Sequence, residues 1–153
     1  MERRTYLTTI VTVLAATAGC TGGSTGDTAP TESPTPTPAQ PRITKYSLEG
    51  RENCDEQGAA DIAVDGQAVV IEGCIVGKDG CQLPVLDGVV HEADELEVRV
   101  TTEKRTDADV CTQQLVDLPY RVTVTFETGL PGTTRVIHDG VDGERLAGEA
   151  ETN

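Results

Sequence analysis

From Tyr120 to Glu127 the side chains alternate without a break. Tyr120, Val122, Val124 and Phe126 fall on one face, and Arg121, Thr123, Thr125 and Glu127 on the other. A period of two belongs to an extended strand with one buried and one wet face. Leu96, Val98 and Val100, interleaved with Glu97, Arg99 and Thr101, repeat it. No segment carries a 3.6-residue period, so no helix is expected. Asp65-Gly66, between Ile62/Val64 and the run Ala68 to Val76, marks a hairpin, because glycine supplies the positive φ of a tight turn. Lys78-Asp79-Gly80 and Leu130-Pro131-Gly132 are further turns. Counting runs between these marks predicts about seven strands, near 43–49, 60–65, 67–76, 83–91, 95–104, 119–128 and 133–139. The expected fold is all-β, an immunoglobulin-like antiparallel sandwich over residues 42–140, with a partly open β-barrel as the alternative. The chain has no Trp and a single Phe, which excludes a core of Trp packed on a disulfide. Residues 141–153 are rich in Gly and acids and are expected to form a flexible acidic tail.

The N-terminus has a different character. Arg3 and Arg4 precede 15 uncharged residues, which end in Ala18-Gly19 immediately before Cys20. As a helix that stretch spans about 22 Å, short of a hydrocarbon core of about 30 Å. A positive start, an apolar middle and a small-residue end describe a signal peptide over residues 1–20. Residues 21–41 follow, with six Thr, five Pro, three Gly and two Ser and no large aliphatic or aromatic side chain. With nothing to bury, this segment is expected to be a disordered spacer. Its polyproline geometry reaches at most about 65 Å. Its Thr residues offer sites for O-linked sugar, whereas the chain contains no Asn-X-Ser/Thr sequon.

Five cysteines leave an odd thiol in an exported chain. If Cys20 carries a lipid, the remaining Cys54, Cys74, Cys81 and Cys111 make an even set, consistent with two disulfides in an oxidising compartment. Four cysteines allow three connectivities, among which the sequence does not choose. The pairing favoured here is Cys54 with Cys74 and Cys81 with Cys111, each closing a loop worth roughly 3 kcal/mol in the chain-entropy model. Gaps of 19, 6 and 29 residues do not match the closely spaced pairs of a zinc site.

The net charge is -14, and outside the signal only three of the basic residues are lysines: Lys45, Lys78 and Lys104. Such a surface repels phosphate backbones, which argues against nucleic-acid binding. At about 1 M salt the Debye length is near 3 Å, so this charge no longer repels itself. The thermal unfolding temperature is therefore expected to rise from dilute buffer to multimolar KCl or NaCl. A flat response would remove this reading of the surface.

Arg3-Arg4-Thr5-Tyr6-Leu7 resembles a twin-arginine export signal, and Thr17-Ala18-Gly19-Cys20 resembles a lipobox, whose Cys becomes the lipid-bearing N-terminus. Together with the Thr/Pro spacer and the acidic β-domain, these motifs make the chain similar to twin-arginine-exported lipoproteins of haloarchaea. GKDGC at 77–81, DADVCTQQL at 107–115 and the following YRVTVTF resemble uncharacterised C-terminal domains of such proteins. The resemblance implies a lipid anchor at Cys20, a place on the outer face of the cell membrane and a salt-rich medium. It implies no activity.

Groups for catalysis are few. Ser47 is the one serine of the domain and has no Gly-X-Ser-X-Gly elbow. His91 and His138 each end a predicted strand beside an acid, Glu92 or Asp139. The sole Met is Met1, which argues against a blue-copper site. Asp107 with Asp109, Asp94 with Glu95, and Asp139 with Asp142 and Glu144 are acid clusters without the EF-hand spacing. The expectation is a non-catalytic binding or structural module without cofactor or metal. Its partners would be membrane lipid through Cys20 and a protein at the cell surface. An accessory subunit or inhibitor of a transporter or secreted enzyme is the alternative.

Overall fold

The computed structural model describes residues 40–153. Arg3, Arg4, Cys20 and all but the last two residues of the spacer lie outside them. Eight strands follow in order: β1 (Ile43–Gly50), β2 (Ala60–Asp65), β3 (Ala68–Gly77), β4 (Gln82–Glu92), β5 (Glu95–Lys104), β6 (Val116–Phe126), β7 (Thr133–Gly140) and β8 (Gly143–Glu151). They form two four-stranded sheets, β1-β6-β3-β2 and β4-β5-β7-β8. The expected all-β sandwich is present, and the sheets do not close into a barrel.

Alternation in the sequence becomes burial. Val69, Ile71 and Ile75 of β3 and Tyr120, Val122, Val124 and Phe126 of β6 meet Leu96, Val98, Val100 and Val136 across the layer. Short branched side chains fill the gap of about 10 Å between packed sheets without a large aromatic. Pro84 and a bulge between Leu86 and Gly88 lie on β4, where an edge strand tolerates both.

Two features differ from expectation. β5 and β7 pair in parallel, Glu95 opposite Thr133, within otherwise antiparallel sheets. After β5, the chain runs back along β6 in the other sheet, so β7 returns beside β5 in the same direction. The expected flexible tail 141–153 is instead an eighth strand, β8, paired with β7 from Thr133/Glu151 to Gly140/Gly143. The sequence GERLAGEAE has no alternation to reveal it. Its stability comes from contacts distant in the chain. Gly148 passes so close to the Ala60 carbonyl that a Cβ there would collide. Beyond the strand, Thr152 is buried, with Oγ1 donating to the Pro131 carbonyl (2.7 Å) and N donating to the Gly132 carbonyl (3.0 Å).

The β4–β5 turn holds two non-glycine residues at positive φ, Ala93 (47°) and Asp94 (67°). Asp94 has a task there: its main-chain carbonyl and Oδ1 both accept from Gly132 N, at 2.9 and 3.0 Å. Ala93 makes no such bond. Left-handed backbone costs an L-residue roughly 1–2 kcal/mol, partly offset by the larger unfolded-state entropy of glycine. Ala93→Gly is therefore expected to stabilise the fold by about 0.5 kcal/mol in urea titration, and destabilisation would refute this account of the turn.

Strand directions sort the connections into two ends. Residues 40–42, the turns at 66–67 and 93–94, loop 127–132 and the C-terminus lie at one end. Loops 51–59, 78–81 and 105–115 and the turn at 141–142 lie at the other. The ten-residue β3 separates them by roughly 33 Å.

Candidate functional site

The four domain cysteines form Cys54–Cys74 and Cys81–Cys111, the favoured pairing, with Cα atoms 5.5 and 5.3 Å apart. Both bridges lie at the end opposite residues 40–42. Each ties a loop to the sandwich. Loop 51–59 is held by Cys54–Cys74, by Gly58 N donating to the Cys74 carbonyl (2.8 Å), and by Arg51 reaching Glu72 (3.0 Å). Loop 105–115 is held by Cys81–Cys111, by Gly80 N donating to the Thr112 carbonyl (3.1 Å), and by Arg105 N donating to the Cys81 carbonyl (2.8 Å). The GKDGC turn at 77–81 and the DADVCTQQL segment at 107–115, remote in sequence, thus form one braced unit.

On this unit Val110 is 91 % exposed and Leu115 61 % exposed. A fixed loop that presents apolar side chains to water has the character of a contact surface. Asp107, Asp109 and Asp142 belong to the same end. Arg105 pairs with Asp107 and holds its carboxyl below the usual range, its own backbone amide helping. At the base of loop 51–59, Arg121 holds Glu72 below the usual range through a hydrogen bond, opposed by burial and aided by the charges of Arg121 and Arg51.

Cysteine sulfurs approach Asp79 and Asp117, but as disulfides they offer no thiolate to a metal. Within the acid cluster at 139–144, Glu144 pairs with Arg99 and faces Asp139 across the β7–β8 ladder. Asp94 caps Gly132, and its neighbour Glu95 pairs with Arg135.

The two histidines are built into the sandwich. His91 packs edge-on against Phe126, ring centres 5.9 Å apart. His138, 2 % exposed, points inward from β7, and its Nε2 lies 2.7 Å from the hydroxyl of Tyr120 on β6, a hydrogen bond joining the two sheets. Tyr120 lies opposite Gly73 in the β3–β6 ladder, and a Cβ at Gly73 would come within 2.5 Å of its Cζ. Only glycine leaves room for that ring. Burial raises the Tyr120 pKa, so the phenol keeps its proton. Burial, with the Arg145 charge adding to it, lowers His138 to about 4, while the Gly58 carbonyl opposes the shift.

The sign of the pH dependence follows from that shift. A histidine neutral in the fold and of ordinary pKa when unfolded leaves the unfolded chain binding more protons between about pH 6.5 and 4. Stability contributed by His138 is complete above that window and is lost as pH falls through it. Denaturant midpoints measured from pH 7 to 4.5 should decline, and His138→Gln should flatten the decline. Equal slopes in both proteins would show that His138 is not the group responsible.

No family model, curated protein or solved structure matches the chain. The site therefore rests on its own geometry. Reading the sequence missed the Tyr120–His138 link, although a signal was present: Tyr120 shares the buried phase of Val122 and Val124, and a buried phenol needs a polar partner.

Proposed function

We propose that the chain is a lipid-anchored protein of the outer face of the cell membrane, carried by Cys20 and its spacer, whose β-sandwich is a non-catalytic binding module. One observation carries this reading: the braced loops lie at the end opposite the entry of residues 40–42. A tether at that entry leaves loops 51–59 and 105–115 at the end remote from the point of attachment. A signal peptide with Arg3 and Arg4, the lipobox ending at Cys20 and the even set of domain cysteines support the location. An archaeal diether, with two chains, supplies the membrane affinity that a single chain lacks. The histidines support a binding role over a catalytic one, because His138 is buried with its Nε2 on Tyr120 and His91 packs edge-on against Phe126.

The partner that fits is a protein at the cell surface with an apolar contact area rimmed by basic groups, matching Val110 and Leu115 beside Asp107 and Asp109. The accessory-subunit or inhibitor reading draws on the same loop, since a disulfide-stapled loop that exposes Val110 suits insertion into a partner's cleft. Cross-linking of the full chain in native membranes at multimolar salt tests the proposal. A partner captured by the native protein should fall at least tenfold with Val110→Asp/Leu115→Asp and persist with Leu146→Asp, an exposed position on β8. Equal capture by both variants, or none by the native chain, would overturn it.

A further inference from the structure

Among the described residues, Arg42, Arg51, Arg99, Arg105, Arg121 and Arg135 each lie within ion-pair distance of a carboxylate. Arg145 has no such partner among them, in a protein with 26 acidic residues. Its Nη2 donates to the Gly58 carbonyl at 2.6 Å, and Gly58, at φ 73°, leaves no space for a Cβ beside the guanidinium. Arg145 lines a crevice of about 10 Å³ between the β7–β8 turn and the start of β2, together with His138, Val76 and Asp142. That volume accommodates one water or one monatomic ion.

A second observation comes from the core side. His138 is 2 % exposed, yet its Nδ1 has no hydrogen-bond partner among the described residues. Its tautomer follows from Tyr120. A protonated phenol needs an acceptor, and its partner is His138 Nε2, so the hydroxyl donates there and the ring proton resides on Nδ1. The Gly58 carbonyl near the ring accepts from Arg145 and lies outside hydrogen-bond geometry for Nδ1. The crevice therefore gathers a buried N–H with no acceptor in hydrogen-bond geometry and a guanidinium with no carboxylate in ion-pair distance among the described residues.

We propose that this crevice binds one small anion, a halide of chloride size, held by His138 Nδ1–H and the Arg145 guanidinium. Asp142, on the lining, opposes an anion through its charge, and this opposition weakens as salt screens it. The site lies at the loop-bearing end but is independent of the partner surface on loop 105–115.

The test uses the full chain at pH 7.5 and a constant ionic strength of about 1 M, with chloride replacing gluconate in steps. A dissociation constant near 50 mM would multiply the folded-to-unfolded ratio roughly twentyfold at 1 M chloride. The chloride-dependent increment should vanish in Arg145→Gln and grow severalfold in Asp142→Asn, both exposed positions that leave the core intact. Crystals grown in bromide should show an anomalous peak within hydrogen-bond reach of His138 Nδ1. An increment unchanged in Arg145→Gln, or a water without anomalous signal at that position, would overturn the proposal.

Discussion

Reduction of both disulfides is expected to unfold the domain at room temperature in dilute buffer. The bridges close loops of 20 and 30 residues that neither nest nor overlap. In the chain-entropy model they contribute about 3.3 and 3.6 kcal/mol, about 7 kcal/mol together. A single domain of this size has roughly 5–15 kcal/mol in all. With a core of Val, Ile and Leu and self-repelling surface charge, the protein should lie toward the lower part of that range. Circular dichroism with and without reductant reads the loss directly. Cys81→Ser/Cys111→Ser should cost about 3–4 kcal/mol and free loop 105–115 first, because the Gly80–Thr112 and Arg105–Cys81 hydrogen bonds that hold it flank the same bridge. A reduced protein with an unchanged unfolding midpoint would show that the sheets hold without their staples.

Gly73→Ala is expected to be among the most damaging single substitutions in the domain, at about 2–4 kcal/mol. The added methyl meets the ring and hydroxyl of Tyr120, which has no free space in the closed layer. The ring must shift, which strains its neighbours and withdraws the partner of a buried histidine. Tyr120→Phe isolates the second effect and should cost about 1–3 kcal/mol. Because both changes break the same hydrogen bond, the double variant should be less destabilised than the sum of the two. Strict additivity would mean that Gly73 is not there to seat the tyrosine.

The sandwich was legible because most of its strands face water on one side, and that asymmetry writes a period of two into residues 96–101 and 120–127. The parallel β5–β7 pair was not legible, since strand direction depends on which sheet each connection crosses into, and side-chain pattern carries no record of that choice. β8 was hidden for a related reason. Leu146 is half exposed and Gly148 is chosen for closeness to Ala60, so neither gives an inward hydrophobic rhythm. The cysteine pairs could be favoured from spacing, but their gathering at one end emerges only when β3 and β6 are laid antiparallel. The Arg145 crevice had no sequence signature, because its partners come from β7, β8 and loop 51–59. What sequence offered was the count of two histidines and the need of a buried Tyr120 for one of them.

Anchoring at one end and presentation at the other is the claim on which the functional reading turns, and mass spectrometry of the protein extracted from its native membrane tests it most directly. The account predicts a mature chain that begins at Cys20, carries the added mass of a two-chain lipid and resists thiol alkylation until reductant is added. A chain with Cys20 unmodified, or with Cys54, Cys74, Cys81 and Cys111 alkylated without reductant, would contradict it.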